Sequence, residues 1–529
     1  MKIPLKYLLC FLVILVLAGI ARFIRIDHRP MHHDEAVNAH KLGALLEGGG
    51  FRYDRTEFHG PILYYSSCVL AGITGKKDLC SLDVKTIRAT TAVYGMGIIL
   101  LLLLLAGVLG WELLLISALV FAFAPALLYF SRYFIHEMLL LFFSFMALIS
   151  VYRYFLTGHP AWICLLGASV GLMHATKETF ILNLAALAAA MLVIWFINGK
   201  GKLHASRGSL RFRKWHLLPM VVIAIIVSAT LFSDFFQYPR GIVDSIAAYG
   251  VYFRRASVDD AHLHPWFYYI DLLFSSSNQA GIILSEIWLL LLSVAGMILA
   301  IVKRKKGVEV SFILFTGIYS FLLMAIYSLI PYKTPWNIIQ FYPGLVLLAG
   351  YAIREIIRVR RSGWWKPVIL AVALAGGIHW LYVSYRINYP DSSSPGNPYV
   401  YAHTSRDVFR LNQLISELAG VHPEGHDMHM DIIMTGHEYW PLPWYLRHYT
   451  HCGWWDQVPG ERPVAPLVIA EAGLEDELIH KLYQEPPPGK RTLYIRANRG
   501  YMELRHGQEI RVYMRKDLWD LLKGSVDSP

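Results

Sequence analysis

Eleven apolar windows of roughly 17–25 residues each run through the first 385 residues: 5–24, 87–109, 112–131, 134–155, 161–177, 179–198, 217–236, 279–302, 310–331, 336–354 and 367–385. A segment this long with almost no charge is stable in a bilayer only if its backbone bonds to itself, so each window reads as a membrane-crossing helix. A soluble surface is ruled out by the same arithmetic, because 55% of the 529 residues are hydrophobic and only 16% are charged. The expected fold class is a polytopic α-helical cell-membrane protein of about 11 transmembrane helices.

The net charge of +11 does not signal nucleic acid. Its Lys and Arg residues gather in short loops between windows, at 200–214, 303–306 and 354–366, and all three loops fall on one side if the N-terminus is cytoplasmic. Lys2 and Lys6 precede the first window, which reads as a retained helix rather than a cleaved leader. An odd number of spans then places everything after about residue 386 outside. The expected domains are a membrane domain over 1–386, with a first outer loop at 25–86, and an extracytoplasmic domain over 387–529.

In the first loop, Ala36, Ala39, Leu42, Leu45 and Leu46 recur at helical spacing and Gly48-Gly49-Gly50 ends the run, which predicts a short surface helix. A second such helix is expected from Pro61. The tail changes character. Asp431 to Met434, Leu467 to Ala470, Thr492 to Ile495 and Ile510 to Met514 read as strands, with helices near 404–419 and 473–484, making a small mixed α/β domain. Cys10, Cys68, Cys80, Cys164 and Cys452 show no metal spacing; only Cys68 and Cys80 share a loop, and free thiols are the simpler reading.

The chemistry gathers where apolar helices meet water. Arg22 to Asp27 and then Arg29-Pro30-Met31-His32-His33-Asp34-Glu35 lie at and just after the end of the first window, outer ends of later spans carry ionisable groups at 129–137 and 174–178, and more follow at 262–266 and 331–336. By the topology above they all reach the outer face, while the inner halves of the spans are nearly pure hydrocarbon. Ionisable groups at membrane depth are expensive and mark function. Cations such as Arg132, Lys177 and Lys333 suit a lipid phosphate, and a carboxylate such as Asp34 can take the proton of an attacking hydroxyl, with Glu35 beside it. His59, Glu137 and Tyr332 complete the set assigned to the donor phosphate or substrate. Against this stand plainer roles: Asp34 as a helix N-cap, Arg132 and Lys177 as snorkelling anchors, and His32, His33 and His59 as ordinary loop histidines rather than metal ligands. No metal site and no cofactor are expected, with a divalent metal left open. A transporter or flippase component would need a midplane site between repeated halves, and no repeat is visible; a non-catalytic scaffold for glycolipid export would pair its outer charges only with one another.

The motifs Arg22 to Asp27, His33-Asp34-Glu35-Ala36, Tyr53-Asp54 and Phe58-His59-Gly60-Pro61-Ile62-Leu63-Tyr64-Tyr65 belong to the first loop. With Ser131-Arg132-Tyr133, Thr176-Lys177-Glu178, Lys333-Thr334-Pro335-Trp336 and the tail's Glu438 to Tyr445, they resemble the GT-C glycosyltransferases. The likeness is to the protein O-mannosyltransferase and aminoarabinose-transferase branch, and within it to membrane proteins associated with a flippase activity. The resemblance implies inverting transfer of a sugar from a polyprenyl-phosphate-linked donor to a hydroxyl of a glycan, lipid or protein acceptor at the outer face, with Asp34 as general base and Arg132 and Lys177 on the carrier phosphate.

Overall fold

Each of the eleven apolar windows contains helix. The computed structural model describes residues 4–56, 59–197, 213–255, 262–274, 284–304, 307–358, 365–460, 462–489, 491–498 and 500–526. Phe58, Lys305, Lys306, most of the 200–214 loop and residues 359–364 of the third basic loop lie outside these. In chain order the membrane-type helices and their neighbours are α1 (Leu5–Phe23), α2 (His33–Leu46), α3 (Ile62–Ile73), α4 (Val84–Leu101), α5 (Ala106–Phe123), α6 (Pro125–Ser131), α7 (Glu137–Thr157), α8 (Pro160–His174), α9 (Phe180–Ile197), α10 (Leu217–Phe232), α11 (Arg240–Arg255), α12 (Tyr268–Phe274), α13 (Ile287–Val302), α14 (Val308–Leu329), α15 (Tyr342–Arg358) and α16 (Trp365–Asn388). After them come α17 (Asp407–Val421), α18 (Leu442–Tyr445), α19 (Glu475–Ile479) and α20 (Lys516–Val526).

Six helical stretches among the described residues are long and apolar enough to cross a membrane: Leu5–Phe23, Val84–Phe123, Glu137–Thr157, Phe180–Ile197, Val308–Leu329 and Pro335–Arg358. Other windows hold shorter apolar helices, such as α8, α10 and α13. In the 40-residue stretch Val84–Phe123 a 3-10 turn at Leu102–Leu105 separates α4 from α5, and Gly110 at φ +70° breaks the helical path again inside α5.

The chain forms two compact units drawn from interleaved segments. The first comprises Met1–Ile26, Gly48–Gly75 and Asp83–Tyr401, and the second comprises Asp27–Glu47, Lys76–Leu82 and Ala402–Pro529. In the first unit, helices pack by close backbone approach, as expected where lipid removes the hydrophobic drive between helices. A Cβ on Gly167 of α8 would stand 2.4 Å from the carbonyl oxygen of Met220 on α10, and one on Gly296 of α13 would stand 2.1 Å from that of Leu348 on α15.

The second unit is built on a six-stranded sheet ordered β2-β1-β3-β6-β4, with β5 also paired to β6. The strands are β1 (Met430–Ile433), β2 (Cys452–Trp455), β3 (Leu467–Glu471), β4 (Tyr494–Arg496), β5 (Glu503–Arg505) and β6 (Gln508–Arg515). β1 runs parallel to β2 and β3, and β6 antiparallel to β3. Pleat alternation gives the sheet two apolar faces: Ile432, Ile469 and Val512 pack with Leu411, Ile415 and Leu418 of α17, while Ile433, Val468 and Tyr513 pack with Leu478 and Leu482. The expected mixed tail domain is therefore present. All five cysteines are free.

Candidate active site

Helix α2 begins with a cap that the sequence does not advertise. The N-cap is His32, not Asp34: its Nδ1 accepts from the Asp34 amide at 3.0 Å, while the Glu35 carboxylate accepts from the His32 amide at 3.0 Å, closing a reciprocal capping box. Asp34 thus sits in the first turn with its carboxylate unspent on the cap, its side chain 43% exposed and Oδ1 4.0 Å from His32 Nδ1. Glu35 is the opposite case. It is fully buried, accepts from the His32 amide and lies 3.8 Å from the Arg29 guanidinium. Burial holds His33 below the usual histidine value, against the upward pull of Asp34.

In the first unit, the loop before α3 is zipped onto the turn after α8. The Gly60 amide donates to the Thr176 carbonyl at 3.1 Å and the Ile62 amide to the Ala175 carbonyl at 3.0 Å. Only glycine fits, because a Cβ on Gly60 would lie 2.2 Å from the Ala175 oxygen. This register sets His59 beside Glu178, with Nδ1 2.8 Å from Oε2, and Tyr53 donates its hydroxyl to Oε1 at 2.7 Å. Burial alone would raise the Glu178 carboxyl; the His59 charge and the hydrogen bonds from His59 and Tyr53 hold it instead at about 2. The His136 ring lies 5.2 Å from that of His59, and its Nε2 donates to the Gly60 carbonyl at 3.1 Å. Burial, with His59 and Lys177 nearby, keeps His136 well below the usual histidine value.

Lys177 and Glu137, both expected at the donor phosphate, are brought together as a buried ion pair. Gln340 fixes the same turn by donating to the Glu137 carbonyl at 2.8 Å. Arg132 is also engaged: its guanidinium donates to the carbonyls of Ala21 at 3.0 Å and Arg25 at 2.8 Å, clamping the exit of α1 where Arg25 has φ +45°, and it stacks 4.6 Å over Tyr389. Lys333 donates to the carbonyls of His264 at 2.8 Å and Ile330 at 2.6 Å, and burial lowers its ammonium below the usual lysine range. Half-buried Tyr332 bridges to Leu263, and its ring stands 4.7 Å from His262, so two of the charged segments expected at one face, 262–266 and 331–336, are paired. Among the described residues no three His, Cys, Asp or Glu side chains converge as metal ligands.

Residues 72–240 match the family of dolichyl-phosphate-mannose-protein mannosyltransferases. ArnT from Cupriavidus metallidurans in the apo state superimposes with a TM-score of 0.61 at 14% identity, over 96% of this chain and 98% of that one. The chain shares the fold of ArnT. The same fold is seen in ArnT bound to undecaprenyl phosphate, with TM-score 0.57, 14% identity and coverage of 95% and 97%. It recurs in the archaeal oligosaccharyltransferase AglB from Archaeoglobus fulgidus in complex with an inhibitory peptide and a dolichol-phosphate, with TM-score 0.55, 12% identity and coverage of 89% and 70%. No curated protein matches the chain in sequence. The family match takes in Arg132, Glu137 and Lys177 and leaves out Asp34, His59 and Lys333.

Two residues of this chain escape a sequence reading. Glu178 follows the conspicuous Lys177, yet it is Glu178 that holds His59. His32 has no capping signature, because histidine is not among the usual N-cap residues.

Proposed function

We infer that this protein is a membrane glycosyltransferase that moves a sugar from a polyprenyl-phosphate-linked donor to a hydroxyl of a glycan, lipid or protein acceptor. The reading gives it about eleven spans, a cytoplasmic N-terminus, and an active site and C-terminal domain outside the membrane. One observation carries it. In a fold shared with ArnT and AglB, whose structures hold undecaprenyl phosphate and dolichol-phosphate, Asp34 keeps a half-exposed carboxylate at the start of a capped helix. Such a group can accept a proton.

In this scheme Asp34 takes the proton of the acceptor hydroxyl as its oxygen attacks the anomeric carbon. The bond from that carbon to the phosphate oxygen breaks, and polyprenyl phosphate leaves with the electron pair, inverting the configuration. The departing phosphate gains charge, which a cation stabilises. His59 is one candidate for contact with that phosphate, since it is partly exposed and fixed by Glu178 at 2.8 Å. Lys333 is a second candidate, because two of its three N–H donors go to carbonyls. Lys177 and Arg132, spent on Glu137 and on the end of α1, are assigned to the frame. Purified protein in proteoliposomes should consume a polyprenyl-phosphate sugar and release polyprenyl phosphate together with a glycosylated product. Full recovery of every donor offered would reject the reading.

A further inference from the structure

The stretch leading into Asp34 is fixed at successive residues by groups about 370 to 415 positions further along the chain. The Met31 amide donates to the Tyr445 hydroxyl at 2.9 Å, and the Met31 carbonyl accepts from the Thr404 hydroxyl at 2.6 Å. The next residue, His32, is 3% exposed and its ring stands 4.8 Å from that of His403. Its Nδ1 then accepts the Asp34 amide. All these groups belong to the second unit, so the C-terminal segment holds the first turn of α2.

Capping by an imidazole differs from capping by oxygen. Ser, Thr and Asn keep their lone pairs at any physiological pH, whereas an imidazole nitrogen that accepts a hydrogen bond must be unprotonated. On protonation, Nδ1 of His32 would lose the Asp34 amide and present its proton toward Asp34 Oδ1, now 4.0 Å away. The helix start would be released and the carboxylate masked in one event. The charged and titratable groups beside His32 are Asp34 and Glu35 on its own segment, Arg29 paired to Glu35 and the facing His403, with the Tyr445 hydroxyl on α18 held by Met31.

We propose that His32, with Met31 pinned by Thr404 and Tyr445, is the positioning residue for Asp34, and that its neutral imidazole keeps the first turn of α2 in the working arrangement. This rests on the reading of Asp34 as the base. Protonation of His32 therefore silences the enzyme in acid.

The test uses the full-length protein in proteoliposomes with a polyprenyl-phosphate sugar, compared as wild type, His32→Ala and His32→Asn. Two readouts are taken across pH: transfer kinetics, and amide hydrogen exchange of residues 33–36 corrected for intrinsic rates. In His32→Ala, kcat should fall about tenfold or more with donor KM little changed, and exchange at 33–36 should speed up at neutral pH. Asn caps with an oxygen, so His32→Asn should restore kcat to within about threefold and abolish the loss of transfer in acid expected of the wild type. Thr404→Val should also loosen residues 31–36. Unchanged protection in His32→Ala, or an acid limb that persists in His32→Asn, would overturn the proposal. If no form transfers sugar at any pH, the glycosyltransferase reading fails, and the exchange of residues 33–36 still decides whether His32 holds the turn.

Discussion

Nδ1 of His59 lies 2.8 Å from Oε2 of Glu178, and the Tyr53 hydroxyl lies 2.7 Å from the other carboxylate oxygen. This arrangement ties the first-loop segment before α3 to the turn between α8 and α9, and it carries a pH signature. The Glu178 carboxyl, held at about 2 against an ordinary 4.5, is a depressed acid. Its contribution is present above the unfolded value and is lost as pH falls through the range from 4.5 toward 2. By linkage that contribution is on the order of 3 kcal/mol. Glu178→Gln should therefore melt well below the wild type at pH 7, with the gap closing as pH falls below about 4. A gap that stays constant with pH would show that the carboxylate charge is not what the site uses.

The Lys177 and Glu137 pair predicts a double-mutant rescue. Removing one partner leaves the other charge buried and alone, at a cost of about 3–5 kcal/mol, whereas replacing both with apolar groups of similar volume is often nearly neutral. Lys177→Gln and Glu137→Gln should each lower the melting temperature sharply, and Lys177→Met combined with Glu137→Leu should recover most of it. Donor use in the double variant should stay within a few-fold of the wild type. A double variant that folds normally and no longer uses donor would return Lys177 to the carrier phosphate.

Orientation has its own test. Basic residues at 303–304 and 354–358 should be retained on the cytoplasmic side, so a reporter fused after Lys306 should read cytoplasmic and one fused after Asp391 extracytoplasmic. The reverse pattern would place the second unit on the wrong side for an outer-face transferase.

Much of this structure is written locally and was legible. A run of about 20 apolar residues has few alternatives to a helix, and β-branched runs such as Leu467 to Ala470 gave strands where expected. The same holds for the helix that starts beside Asp34 and ends near the Gly48 to Gly50 run. Pairing between distant residues was not legible. Lys177 and Arg132 look alike in sequence as cations at a membrane edge, and only the fold commits one to Glu137 and the other to the carbonyls of Ala21 and Arg25. For the same reason nothing local marks that 27–47 falls in one compact unit with 402–529: the bonds that join them, such as Met31 to Tyr445, have no local signature.

The assignment of Asp34 is tested most directly by Asp34→Asn, assayed for sugar transfer from a polyprenyl-phosphate donor beside a thermal melt. The cap belongs to His32 and the buried acid is Glu35, so the substitution removes a half-exposed negative charge and a proton acceptor and little else. Expression and melting temperature should remain near those of the wild type, with transfer reduced by at least about 10²-fold. A well-folded Asp34→Asn protein that transfers sugar at the wild-type rate would contradict the assignment.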